Sequence, residues 1–404
     1  MNPLNERLIS KEYLVFLSAR IFGIIFKPVI LLLLIYFGFE ELADKFSRFL
    51  IVLFSIFSLL SFPYYFKFYQ SYFDNGNNHT IHLRFGIYQK DFFLFNLFAS
   101  PLTFFFSFLI FQDFVIAIAC CIILFLEKIL DEIQRFQQYS KSFISWSFLF
   151  ISKTLLPILL CLGFFFTLDD LKFEIYLLSI ILVNIAICFL FGRWLNIKRT
   201  LKYVFRDVVK FFKRFYGKSM WLYFIATSGI FFIQIDRTFI SVFNFELITL
   251  SELTLFAQIS NLIPLVISFL FVANRRQLLL QHKTSVDDMF LGFKVPLISF
   301  LSAVFLITTT IILSKNNLIT ISFSNAEIIL YLCAFAFFSL DQILYENLYW
   351  NFDPKKMLWL DLILIIIFVS LTSINPILLI QNFFFVTLLR LLAHLYFSTK
   401  RNHN

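Results

Sequence analysis

Twelve apolar stretches of membrane-spanning length run through this 404-residue chain, and the loops between them alternate in charge. A helix needs about 20 apolar residues to cross the hydrocarbon core of a bilayer. The stretches cover 13–38, 46–66, 91–111, 114–130, 143–166, 174–195, 219–243, 252–273, 290–313, 327–350, 356–373 and 376–397. On one side the loops hold Arg7 and Lys11, then Lys67, Arg84 and Lys90, then Lys128, Arg135 and Lys141. The same side takes the nine cations from Arg193 to Lys218, then Arg275, Arg276 and Lys283, then Lys355, Lys356, Lys400 and Arg401, 24 in all. The other side holds only Lys45, Lys172 and Lys315, and seven cations lie inside the stretches. Cationic loops stay in the cytoplasm, which predicts an even number of helices with both termini cytoplasmic in a cell inner (plasma) membrane.

The chain is 60% hydrophobic and 15% charged, with a mean hydropathy of +0.84. Soluble domains carry about 25% charged residues, so the composition excludes an ordinary soluble protein. Long apolar runs without period-two alternation exclude a transmembrane barrel, and an α-helix satisfies its backbone polar groups within the segment. The expected fold is therefore all-α and polytopic. The net charge of +9 is explained by basic loops facing anionic lipid, so membrane lipids and not nucleic acid are the expected partner. Cys120, Cys121, Cys161, Cys188 and Cys333 all fall in apolar stretches without CxxC spacing and read as packing residues. The first stretch is long, carries Arg20 and Lys27, and lacks a small-x-small cleavage site, so it reads as a retained helix.

The segment 196–218 divides the chain into a six-helix lobe at 1–195 and another at 219–404. Within it Leu201, Val204, Phe205, Val208, Phe211, Phe212 and Phe215 follow helical spacing opposite Arg199, Lys202, Arg206, Lys210, Lys213 and Arg214. That pattern predicts an amphipathic helix on the cytoplasmic leaflet. Phe37-Gly-Phe-Glu40 and Phe243-Asn-Phe-Glu246 occupy matching places in the two halves and suggest a parallel internal repeat.

Charges inside the stretches carry the functional argument. A Lys, Arg or Asp at a helix centre costs roughly 2.5–3.5 kcal/mol on insertion scales, so such residues face a cavity or one another. Arg20 and Lys27 stand seven residues apart on one helix face, about 10 Å along the axis. Lys153 lies mid-helix, seven residues after Trp146. None of the three has an acid at i±3 or i±4 within its own helix; they read either as lining a cationic cavity or, for Arg20, as reaching the interface and, for Lys27 and Lys153, as pairing across helices. The second half holds Gln234, Asp236 and Arg237 in one stretch, then Asp341, Asp361 and Arg390. Gln342, Glu346 and Tyr349 form one polar stripe, Arg390 and His394 another. These residues read either as an ion-pair network or as an ion-coupling site.

No Walker loop, HExxH or GxSxG is present, and no extramembrane stretch is long enough for a catalytic domain. Asp169 and Asp170 sit in a short external loop and are a weak sign of glycosyl transfer. No enzymatic activity, catalytic residue, cofactor or metal is expected.

Trp221-Leu-Tyr-Phe-Ile-Ala-Thr-Ser-Gly-Ile-Phe-Phe-Ile-Gln-Ile-Asp-Arg-Thr-Phe-Ile-Ser241 and Leu255-Phe-Ala-Gln-Ile-Ser-Asn-Leu-Ile-Pro264 resemble the polysaccharide-flippase (O-antigen translocase, Wzx-type) branch of the multidrug/oligosaccharidyl-lipid/polysaccharide exporter superfamily. Ile235-Asp236-Arg237 matches a triplet found late in helix 7 of that branch. Thr254 and Phe256 depart from the Gly and Tyr that open helix 8 there. The resemblance implies about twelve helices in two six-helix lobes around a central cavity, with alternating access. It implies an undecaprenyl-diphosphate-linked oligosaccharide as substrate, and as working partners the repeat-unit polymerase and chain-length regulator. It also implies a cationic N-lobe cavity, which Arg20, Lys27 and Lys153 fit by place and charge. Three other readings compete. A membrane repeat-unit polymerase needs external arginines, and the external loops hold none. A cation-coupled drug exporter of the same superfamily needs intramembrane acids, as Asp236, Asp341 and Asp361 provide. A scaffold for a synthesis complex has no positive sign.

Overall fold

The computed structural model describes residues 11–59, 94–96, 99–139, 143–168, 172–191, 218–243, 249–264, 294–315, 323–351 and 354–401. Among the described residues the chain is helical, with no strand. It forms two compact units, Met1–Ser219 and Met220–Asn404. The helices are α1 (Lys11–Tyr36), α2 (Glu40–Leu59), α3 (Ala99–Phe111), α4 (Phe114–Tyr139), α5 (Phe143–Leu168) and α6 (Phe173–Phe191) in the first unit. There follow α7 (Lys218–Ile233), α8 (Ile235–Phe243), α9 (Leu250–Ser260), α10 (Lys294–Lys315), α11 (Asn325–Asn351), α12 (Pro354–Ile374) and α13 (Leu379–Arg401).

The protein is an all-α membrane protein, and its surface shows why. Large apolar side chains such as Phe105, Phe148, Phe189, Phe300, Phe305 and Ile366 are exposed, while Lys128, Asp236, Arg237, Asp341, Asp361, Arg390 and His394 are buried. That inverts the polarity of a water-soluble fold and suits hydrocarbon outside with polar groups held within. Among the described residues six helices are long and apolar enough to span, within α5, α6, α10, α11 and α12 and from Pro376 to Thr399.

Helix ends follow local chemistry. α1 closes in a Schellman turn, in which Phe39 N–H donates to Leu34 O at 2.9 Å and Gly38 N–H to Ile35 O at 3.0 Å. Gly38 takes φ +76° there, where a Cβ is disfavoured. Two residues later Glu40 and Glu41 open α2, placing negative charge at the positive end of the helix dipole. Asp113 caps α4, accepting from Ile116 N–H at 2.9 Å. Ser324 and Glu327 make a capping box at the start of α11, with Ser324 N–H to Glu327 at 2.8 Å and Glu327 N–H to Ser324 at 3.3 Å.

Two predicted boundaries move. The fourth stretch, read as ending at residue 130, continues as helix to Tyr139, so Lys128 is a buried helical residue and not a loop cation. A face of apolar residues, Ile129, Leu130 and Ile133, packs inward and carries the helix on. The seventh stretch, read as continuous over 219–243, is broken at Gln234 between α7 and α8. There Gln234 N–H donates to Phe231 O, one residue short of the α-helical partner, at 3.0 Å. The amphipathic segment 196–218 falls, except for Lys218, outside the described residues, as do Asp169, Asp170 and the 244–246 half of the internal echo.

Candidate functional site

In the first unit α1 and α5 run parallel. Phe16 packs on Trp146 with ring centroids 4.4 Å apart, and further along both helices Gly23 meets Phe150. Trp146 and Phe150 stack at 4.9 Å with 9° between their planes. A Cβ on Gly23 would stand 2.1 Å from Phe150 Cε1, so only a glycine admits this ring. The next step along brings Lys27 and Lys153 to neighbouring levels, within electrostatic reach of each other and of Glu127 on α4.

Lys153 is not an isolated cation. Its Nζ donates to Glu127 Oε2 at 2.8 Å, and Asn184 on α6 donates to Glu127 Oε1 at 3.2 Å. Asp131, one turn beyond Glu127, also acts on Lys153 electrostatically. Lys153 Nζ lies 5.9 Å from the Phe150 ring centroid, a cation–π contact. The group is not sealed, because the side chains of Lys153 and Glu127 remain 15% and 14% exposed. The structure therefore brings Lys27 and Lys153 together. The Arg20 side chain lies outside the described residues. Sequence reasoning missed Glu127 and Asn184. Their signal was Glu127, Asp131 and Gln134, a polar stripe at i, i+4 and i+7.

The second unit holds a clasp of buried charge. Arg390 on α13 donates from Nη1 to Asp341 Oδ2 at 2.7 Å, from Nε to Asp361 Oδ1 at 2.8 Å and from Nη2 to Asp361 Oδ2 at 3.4 Å. Ser228 on α7 donates to Asp361 Oδ2 at 2.7 Å. His394 Nδ1 stands 2.5 Å from Asp341 Oδ1. The guanidinium is also flanked by Phe232 at 4.9 Å and Tyr345 at 5.1 Å. One cation thus joins α7, α11, α12 and α13. Gly229 permits the approach: a Cβ there would lie 3.2 Å from Tyr345 Oη and 3.3 Å from Arg390 Nη2.

Asp236 and Arg237 belong to a second knot at the helix break. Arg237 Nη2 donates to Ile233 O at 2.8 Å, capping the carbonyl that the break leaves without its helical partner, and Nε reaches Asp236 Oδ1 at 3.4 Å. Tyr331 donates to Asp236 Oδ2 at 2.5 Å. Of the residues read as a second-half polar network, the structure joins Asp341, Asp361 and Arg390 in one group and Asp236 with Arg237 in another. The side chains of Glu346 and Tyr349 lie outside the described residues, and Gln342 is exposed. Near the end of α3, Arg48 binds Asp44 and the Ile110 carbonyl, each at 2.8 Å. All five cysteines are free.

Comparisons with protein-family models, with curated proteins and with solved structures returned no match.

Proposed function

We propose that this protein is a flippase. It carries undecaprenyl-diphosphate-linked oligosaccharide repeat units, of O-antigen or capsule type, from the cytoplasmic to the external leaflet by alternating access. The twelve-helix, two-lobe arrangement, the inner-membrane location with both termini cytoplasmic, ion coupling, and work alongside a repeat-unit polymerase and chain-length regulator are parts of this proposal.

The observation that carries it is the neighbouring pair Lys27 and Lys153, held in an apolar-faced bundle and left partly accessible. A diphosphate dragged through hydrocarbon faces a cost of tens of kcal/mol on an idealised Born estimate, and cations along its path remove most of it. Glu127 then has a definite task. It compensates Lys153 while the site is empty, so the ammonium does not stand alone in a low-dielectric interior. The lipid tail stays in the bilayer while the sugar head passes.

Deleting the gene in its host and assigning the lipid-linked sugar to a leaflet tests the reading. Single repeat units trapped on the cytoplasmic leaflet support a flippase. Single units accumulating outside, unpolymerised, would replace it with the polymerase. A second reading is favoured by Glu127 itself, since an intramembrane carboxylate suits a cation-coupled drug exporter. Under that reading the deletion strain traps no lipid-linked sugar and becomes sensitive to cationic dyes.

A further inference from the structure

The clasp of the second unit does not balance its charge without help. Asp341 and Asp361 bring two negative charges and Arg390 one positive, all with side chains no more than 2% exposed. Ser228 is neutral. His394 is the remaining member, 0% exposed and bound to the Asp341 oxygen that Arg390 does not use. Among the described residues the groups facing it are these. α11 supplies Asp341 and Tyr345, whose ring lies 5.7 Å from the imidazole. α12 supplies Asp361, reached through Arg390 on α13 itself. Asp236 and Arg237 of α8 turn to each other and to Tyr331 instead.

We propose that His394 is a proton-binding site, taking up one proton at Nε2 and bringing the clasp from one net negative charge to neutrality. An ionised carboxylate only accepts hydrogen bonds, so Asp341 fixes the hydrogen of the neutral ring on Nδ1. Nε2 then carries the lone pair. It is buried, and it has no hydrogen-bond partner among the described residues. The proton adds to that lone pair, the ring becomes imidazolium, and no other bond breaks. A metal cation finds no comparable place. Both oxygens of Asp341 and of Asp361 are engaged, and among the described residues no group of three or more His, Cys, Asp or Glu could hold one. An uncompensated charge in a buried network is strongly destabilising, so occupancy of Nε2 sets how firmly α7, α11, α12 and α13 are held. The site does not depend on the sugar substrate. Where the flippase reading holds, it names the coupling ion as a proton.

The test is histidine-selective ¹⁵N NMR of the full chain in lipid nanodiscs, followed as the buffer is taken from acid to alkaline pH. The chain has five histidines, and the His394 resonances are those lost in His394→Gln. If that variant does not fold, His394→Asn serves, and the ring contact with Tyr345 assigns the wild-type signal. The expected result is a shift of the His394 Nε2 resonance between its bare and protonated positions. A resonance that keeps one protonation state throughout overturns the site. Translocation in vesicles is then compared with and without a pH gradient. Loss of the gradient's effect in His394→Gln supports coupling, and a full effect in that variant overturns coupling alone. Absence of translocation in the wild type, with the resonance still shifting, removes the flippase reading and leaves the proton site standing.

Discussion

The Phe150 ring occupies the place where a side chain on Gly23 would stand, and that single exchange sets the register of α1 on α5. Because Phe150 is held from behind by Trp146, it cannot swing aside freely. Gly23→Ala is expected to destabilise by about 1–3 kcal/mol, the usual cost of overpacking. Phe150→Leu in the same chain should recover part of the loss. Thermal unfolding in detergent across the four-member mutant cycle measures the coupling, and simple additivity would show that the two residues do not meet.

Lys153 and Glu127 should fail separately and survive together. Lys153→Met leaves a carboxylate in the bundle, and Glu127→Gln leaves an ammonium. Breaking a buried pair costs about 3–5 kcal/mol, and partial exposure here lowers that figure. The double variant Glu127→Gln/Lys153→Met is expected to be more stable than either single one. Under the flippase proposal it should still lose export of surface polysaccharide, as should Lys27→Ala at unchanged protein level. Full surface polysaccharide in Lys27→Ala/Lys153→Ala would remove the cationic-site idea.

Arg390 should not tolerate lysine. A guanidinium reaches Asp341 and Asp361 at once from separate nitrogens, and an ammonium is a single point of charge. Arg390→Lys is therefore expected to lower the unfolding midpoint clearly. Arg390→Met should lower it further, with Asp341→Asn giving partial recovery. Equal midpoints for Arg390→Lys and wild type would mean that the second carboxylate contact is idle.

Arg237 should matter for the helix break more than for its neighbouring acid. Arg237→Met exposes the Ile233 carbonyl and leaves Asp236 with Tyr331 alone. Adding Asp236→Asn removes the charge problem but not the bare carbonyl, an unmet buried group worth about 1–3 kcal/mol. Hydrogen exchange should therefore stay faster around residues 233–238 in both variants. Wild-type protection in the double variant would assign the whole effect to charge.

The start of α2 carries a pH-dependent pair. Lys45, bonded to Glu41 at 2.8 Å, holds the Glu41 carboxyl below its ordinary value, and Glu41 holds Lys45 above its own. The lowered carboxyl contributes above the unfolded value of about 4.3 and loses its contribution as pH falls through the folded value. The raised amine contributes below about 10.4 and loses its contribution as pH rises through the folded value. Exchange protection of residues 40–45, corrected for intrinsic rates, should be flat between those limits and fall outside them. Lys45→Met should abolish the acid-side fall.

The helical fold was legible because a bilayer leaves so few solutions for long apolar runs. The buried acids and Arg390 were legible for the same reason, each being costly unless grouped. The sequence showed that these charges pair across helices but not which residues meet. Lys153 stayed open between a cavity and a cross-helix partner, because its acid, Glu127, lies on another helix beside Lys128, which read as a loop cation. The break at Gln234 carries no Gly or Pro at the site. It becomes visible only when the Ile233 carbonyl is found capped by a side chain.

The order of synthesis gives the clasp one more consequence. Asp341 and Asp361 enter the bilayer on α11 and α12, while their counterion Arg390 is made only afterwards, on α13. For that interval the nascent chain holds two acids whose partner has not been made. The arrival of α13 thus completes the clasp. A chain cut short before residue 379 reaches the membrane with the marks of an unfinished product, open to whatever quality control reads unpaired charge in lipid.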